Sequence, residues 1–208
     1  MDRISGKEIE AWLNSRLSFF RDNIHTFKAC NLNVGYPILS LVFAQIEYLS
    51  DILYFCPERK SKPTQLVGRY FMEEMSKIDP AYGFKFKREH SLLWGNASNF
   101  GELLYLTLRS KIHHQGGAYP PFSVTAEPEF EHLHLNLDPR TSTVIIHAYR
   151  LNDDLQGSIS SLNFELVRGQ RNLERLAKNI DGEKARLEKY KADVTPMIED
   201  MQQNGFFR

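Results

Sequence analysis

Residues 36–55 read YPILSLVFAQIEYLSDILYF, and this stretch decides the fold class. Pro37 can occupy a first helical turn, and Leu39, Val42, Phe43, Ile46, Leu49 and Leu53 recur at steps of three and four along one face. Leu41, Tyr48, Ile52 and Phe55 make the other side apolar too, and a helix apolar on both sides is normally the central one, surrounded by its neighbours. The stretch approaches membrane-spanning length. It also carries Gln45, Glu47 and Asp51, three polar groups that would be costly in hydrocarbon without partners. It therefore reads as the buried helix of a bundle, not as a membrane span.

Upstream, Ser5-Gly-Lys-Glu8 has the form of a capping box, and Ile9, Leu13, Leu17, Phe20, Ile24 and Phe27 then keep helical spacing to about residue 29. Downstream, PERKSKP at 57–63 is a basic loop, and a third helix is expected over Thr64–Lys77 with Leu66, Tyr70, Met72 and Met75 inward, ended by Asp79-Pro80. Residues 57–90 carry eight Lys or Arg against five Asp or Glu, a modest surplus that a solvated face explains. Asn99–Ile112 is the next expected helix, with Phe100, Leu103, Leu104, Leu108 and Ile112 at spacings of three and four, stopped by Gly116-Gly117 and Pro120-Pro121.

Then the period changes. HLHLNL at 132–137 alternates strictly, Asp138-Pro-Arg-Thr141 is turn chemistry, and TVIIHAY at 143–149 is β-branched and apolar, so a two-stranded β-hairpin is expected over 131–149. If that turn closes symmetrically, His132 lies opposite His147 with His134 on the same face. Three imidazoles there could bind zinc, although polar fillers of a wet sheet face are the commoner outcome and no metal site is assigned. A last helical region carries Leu151, Leu155, Ile159, Leu162 and Leu166, then Leu173, Leu176 and Ile180, with Gly157, Gly169 and Gly182 expected to bend or divide it. Leu187, Tyr190, Val194, Met197 and Met201 form a docking or coiled-coil seam interrupted by Pro196. The domain reading is a helical domain over 1–165, hairpin included, and a C-terminal helical extension over 166–208.

Composition narrows the function classes. The chain has 208 residues, 42% of them hydrophobic, and 26 Lys plus Arg balance 26 Asp plus Glu, so no global field draws it onto nucleic acid or an anionic membrane. The charged N-terminal segment lacks the apolar run of a secretory signal, and two cysteines, Cys30 and Cys56, supply neither a disulfide framework nor a cysteine-rich zinc site. A reduced, cytoplasmic protein is expected. No P-loop, dinucleotide-binding turn, His-Glu-x-x-His helix or nucleophile elbow occurs, and no cofactor is expected.

One motif carries chemistry. Residues 103–117 read LLYLTLRSKIHHQGG: an apolar helical face delivers Arg109, and His114 follows after four residues. This segment resembles the Arg-x4-His signature of the HEPN superfamily. Helix, long apolar helix, variable loop, motif helix and short hairpin resemble a HEPN-like arrangement over roughly residues 5–165. The resemblance implies a mainly α, HEPN-like helical bundle that works as a homodimer, with two motifs facing one another across a composite cleft. It implies metal-independent RNA cleavage in a defence, stress or toxin–antitoxin setting, with RNA as substrate and an antitoxin or other protein as partner. By the same resemblance His114 does acid or base work, Arg109 binds phosphate, and Ser110 and Lys111 support them.

The residues themselves leave two points open. Ser110 stands where many members carry Asn, and His113 competes with His114. A residue four along an α-helix lies about 40° from Arg109 and one five along about 140° away, so helical geometry favours His113 where family spacing selects His114. An Arg at the solvent end of a core helix followed by two His is also what favourable interaction with the helix dipole produces. The alternative function is thus a noncatalytic interaction or dimerisation module that binds RNA, nucleotide or a protein partner.

Overall fold

The computed structural model describes residues 5–30, 34–55, 62–87, 97–109, 121–138 and 140–203. Helices dominate: α1 Gly6–Ala29, α2 Gly35–Tyr54, α3 Pro63–Glu73, α4 Phe100–Leu104, α5 Ala148–Val167 and α6 Leu173–Gln203. Among the described residues no helix is long and apolar enough to cross a membrane.

The capping box of α1 forms as its sequence requires. The Ser5 hydroxyl accepts the Glu8 backbone N–H at 3.3 Å and the Glu8 carboxylate accepts the Ser5 N–H at 2.6 Å, satisfying two helix-end donors reciprocally. Ile9, Leu13, Leu17 and Ile24 are buried, so the apolar stripe of α1 faces the core. Helix α2 is the centre of the bundle, packed by α1, α3, α5 and α6. Ile38, Leu39, Val42, Phe43, Ile46 and Leu49 are wholly inaccessible. Its three polar residues are accommodated individually: Gln45 is buried and accepts from Gln156 Nε2 of α5, Glu47 meets Arg109, and Asp51 is part-buried near Arg186 of α6.

Helices α3 and α4 approach closely through two glycines. A Cβ on Gly101 would lie 2.4 Å from Phe71 Cβ, and one on Gly68 would lie 2.4 Å from Glu102 Cγ. Gly101→Ala is therefore expected to lower stability in urea unfolding by about 1–3 kcal/mol through overpacking, outweighing the roughly 1 kcal/mol that Ala gains in helix propensity. A stability gain would mean that Phe71 can move aside.

The sheet departs from the expected hairpin. It has three strands in the order β1-β3-β2: β1 Phe122–Thr125 runs parallel to β3 Thr143–His147, and β2 is only Leu137–Asp138, antiparallel to β3 with Leu137 opposite Val144. Residues 128–133 form a 3-10 turn opened by Pro128, and Leu135 takes a positive φ of 62°, so of HLHLNL only Leu137 enters a strand. Backbone pairing with β3 continues as a bulge, with the Leu135 N–H donating to the Ile145 carbonyl at 2.8 Å and the Ile145 N–H to the Asn136 carbonyl at 2.9 Å, and one step further His134 Nδ1 accepts the His147 backbone N–H at 3.0 Å in place of a carbonyl. His132 consequently does not face His147.

Strand β3 passes directly into α5, with the His147 ring as N-cap accepting the Arg150 N–H at 3.2 Å. Leu151, Leu155, Ile159, Leu162 and Leu166 are buried as their spacing predicts. Gly157 does not divide α5. A Cβ there would come within 3.2 Å of Ile78, so the glycine sits where another segment packs closely. Gly169 does end the helix region, at a φ of +67°, whereas α6 runs through both Gly182 and Pro196.

Candidate functional site

Arg109 is delivered by a short, well-capped helix. Asn99 caps α4 by accepting the Glu102 N–H at 2.9 Å, and Leu104 and Leu108 are fully buried, anchoring one face. From Tyr105 to Arg109 the backbone is π-helical, with the Thr107 hydroxyl donating to the Leu103 carbonyl at 2.6 Å. The α-helical angle used to compare His113 with His114 therefore does not describe the turn that leads into the motif.

The Arg109 guanidinium is held by α2. Its Nε donates to Glu47 Oε1 at 2.5 Å and Nη2 lies 3.5 Å from Oε2, while 31% of the side chain stays exposed. The hydrogen bond to Glu47 raises the Arg109 pKa further above its ordinary value, so this residue is a permanent cation. Burial pushes the neighbouring Tyr105 phenol up to about 12, and the Glu47 charge adds to that shift. Burial likewise raises the carboxyls of Asp51 and of Glu183 on α6, with Arg186 opposing both. Arg109 thus emerges at a polar margin of α2, oriented by one carboxylate. Ser110, Lys111, His113 and His114 lie outside the described residues.

A second polar cluster was not anticipated as a unit. Tyr82, fully buried, donates its hydroxyl to Asp154 Oδ2 at 2.8 Å and lies 2.8 Å from His134 Nε2. Because His134 Nδ1 accepts a backbone N–H, its own proton sits on Nε2 and points to the Tyr82 oxygen, giving a directed chain from His134 through Tyr82 to Asp154. Arg150 Nε approaches Asp154 Oδ1 at 3.3 Å. The cluster underlies an open cleft of about 480 Å³ lined by Asp79, Pro128, Glu131, His132, His134 and Arg150. Both His134 nitrogens are engaged within the fold, so the chain locks α5 to the loop after α3.

The three hairpin histidines do not assemble a metal site, and among the described residues no group of three His, Cys, Asp or Glu could hold an ion. His147 is occupied at both nitrogens, capping α5 through Nδ1 and placing Nε2 3.1 Å from the Glu127 carbonyl. Burial lowers its pKa. The folded form therefore binds its proton less readily than the unfolded chain. Its stability contribution is complete above about pH 6.5, the ordinary imidazole value, and declines as pH falls below it. His147→Asn, which keeps a capping acceptor but cannot titrate there, should show a shallower loss of melting temperature between about pH 6.5 and 5. An unchanged slope would assign that loss to other groups.

Comparison of the chain with known protein families, with curated proteins and with solved structures finds no match.

Proposed function

We propose that this chain is a HEPN-like protein that cleaves RNA without a metal, with Arg109 binding phosphate and His114 transferring the proton. The observation that carries this reading is the oriented, part-exposed guanidinium of Arg109 at the end of a buried helix. A fixed guanidinium edge matches phosphate oxygens, and a carboxylate on its Nε side sets the direction of the fork. Cleavage through the 2′-hydroxyl needs a base for that proton, an acid for the leaving oxygen and a cation for the crowded phosphate, and imidazole titrates in the required range. One Arg and one His per chain are few for this reaction, and two copies with facing motifs would supply a second set.

The same ion pair favours a second reading. A guanidinium tied to a carboxylate on the neighbouring helix also joins α4 to α2, which is all a noncatalytic binding module would ask of it. Incubating the purified chain with RNA of mixed sequence in EDTA separates the two. Cleavage that leaves a 2′,3′-cyclic phosphate supports the enzyme, and no cleavage in any sequence context leaves the binding module.

A further inference from the structure

We infer that residues 84–87, Phe-Lys-Phe-Lys, hold a single-stranded stretch of RNA, with a base stacked on the Phe84 ring and the two lysines on phosphates. The inference deepens the RNA reading and rests on it for the choice of RNA. The segment is fixed against the fold. Phe84 leaves a 3-10 turn in extended backbone, its carbonyl accepts the Phe100 N–H at 2.9 Å, and the Phe86 N–H donates to the Ser98 carbonyl at 3.0 Å. Lys85 thereby pairs antiparallel with Asn99, the cap of α4. The strip is anchored to the start of the helical stretch whose far end delivers Arg109, about 13 Å along the axis.

Alternation along extended backbone puts Phe84 and Phe86 on one face and Lys85 and Lys87 on the other. The two rings meet edge to face, with centroids 5.6 Å apart at 71°. Phe86 is half-buried against the core, whereas Phe84 is 60% exposed. One ring is thus pinned and braces a second that faces solvent. Both lysines are exposed, and neither forms an ion pair with another described residue.

A single exposed phenylalanine needs no explanation, and a Lys and Arg surplus is what any solvated face carries. Interleaved on one fixed strip, the two match one ligand. Every base offers a π-face to an aromatic ring, and the phosphates between bases are anionic. A base stacked over Phe84 therefore leaves its phosphates at the edge of the strip, within reach of the long lysine stems. In a duplex each base face is covered by the next base pair, which selects a single strand. An anionic membrane would also attract the lysines, but one projecting ring supplies too little apolar surface for a lasting anchor.

Fluorescence anisotropy of the full chain with a labelled, uncleavable 2′-O-methyl oligouridine tests this apart from cleavage. Phe84→Ala should weaken binding at least ~5-fold, the lower end for one base stacked on one ring, and Phe84→Trp should keep or tighten it. Phe84→Leu should lose as much as Phe84→Ala, because leucine keeps apolar surface without a π-face. Lys85→Gln and Lys87→Gln should each flatten the dependence of log affinity on log salt by about 0.7. Phe19→Ala, at another ring that is 64% exposed, should leave the affinity unchanged. Circular dichroism should match wild type throughout, since every altered side chain is exposed. The inference is overturned by a wild-type chain that does not bind at low salt, by equal binding of duplex RNA, or by an affinity unmoved in Phe84→Ala. Phe84→Leu equal to wild type, or Phe19→Ala as weak as Phe84→Ala, overturns it too, since either makes the contact merely apolar. Failure of the strip and failure of the cleavage reading are read separately, because this binding needs no free 2′-hydroxyl and cleavage needs Arg109 and His114.

Discussion

Arg109→Ala and His114→Ala are each expected to lower metal-independent RNA cleavage at least ~100-fold, the lower end for a group that transfers a proton or stabilises charge in the transition state. The two losses should differ in kind. Arg109→Lys keeps the charge but not the fork, so it should recover only part of the rate. His114→Ala should abolish the neutral limb of the pH–rate profile. His113→Ala serves as the internal comparison: a small effect follows from family spacing, and a loss equal to that of His114→Ala would mean that His113 is the motif histidine. Glu47→Gln keeps a hydrogen-bond acceptor beside Nε, as Glu47 now provides at 2.5 Å, and should cost less than Glu47→Ala if the carboxylate positions the guanidinium. Cleavage untouched by the Arg109 and His114 changes would defeat the enzyme reading. In that event the same substitutions should weaken partner binding, with no rate to lose.

What could be read in advance follows from how far apart the interacting residues lie. The cap of α1 joins Ser5 to Glu8, three residues on, and the burial of α2 follows from periodicity over twenty residues; both are local properties and both were legible. Glu47 was visible as a polar group in an apolar helix, which signals a partner, but nothing local says that the partner is Arg109, 62 residues away. The Tyr82–His134–Asp154 chain spans 52 and 72 residues and involves a tyrosine in a loop without periodicity, so it carried no advance signal as a unit. The hairpin was misread for a different reason. Alternation in HLHLNL is real, but Pro128 begins a 3-10 turn and His134 finds a backbone donor, and these outweigh a weak β preference. The parallel pairing of β1 with β3 joins Phe122 to Val144, a relation that no turn signal encodes.

Glu74→Ala is expected to destabilise the fold by about 3–5 kcal/mol, a large share of the roughly 5–15 kcal/mol that holds a domain together. Glu74 closes α3 with its side chain wholly buried, and it accepts from Tyr54 at 2.7 Å, from Lys77 at 2.9 Å and from Arg171 Nη2 at 2.8 and 2.6 Å. Glu165 of α5 takes Lys77 at 2.7 Å and Arg171 at 2.5 Å, so two carboxylates and two cations alternate where the end of α2, the end of α3, α5 and the approach to α6 converge. Removing Glu74 leaves two cations, Lys77 and Arg171, on the single carboxylate of Glu165, with the Arg171 side chain only 20% exposed. The cost includes one excess positive charge in the cluster, and not the lost bonds alone. Removing both, in Glu74→Ala with Arg171→Ala, should therefore cost less than the sum of the single changes. Burial by itself would raise the Glu74 carboxyl, but the hydrogen bonds from Arg171, Lys77 and Tyr54 hold it below the ordinary carboxylate range. Its contribution is complete above about pH 4.3 and is lost as pH falls through the lowered value, a window distinct from that of His147. Glu74→Gln should accordingly lose stability at neutral pH while its remaining acid unfolding becomes shallower below about pH 4.3. An unfolding free energy from urea within about 1 kcal/mol of wild type for Glu74→Ala would show that α6 is held without the ion-pair cluster, through Leu176, Ile180 and the Asn179 hydrogen bonds.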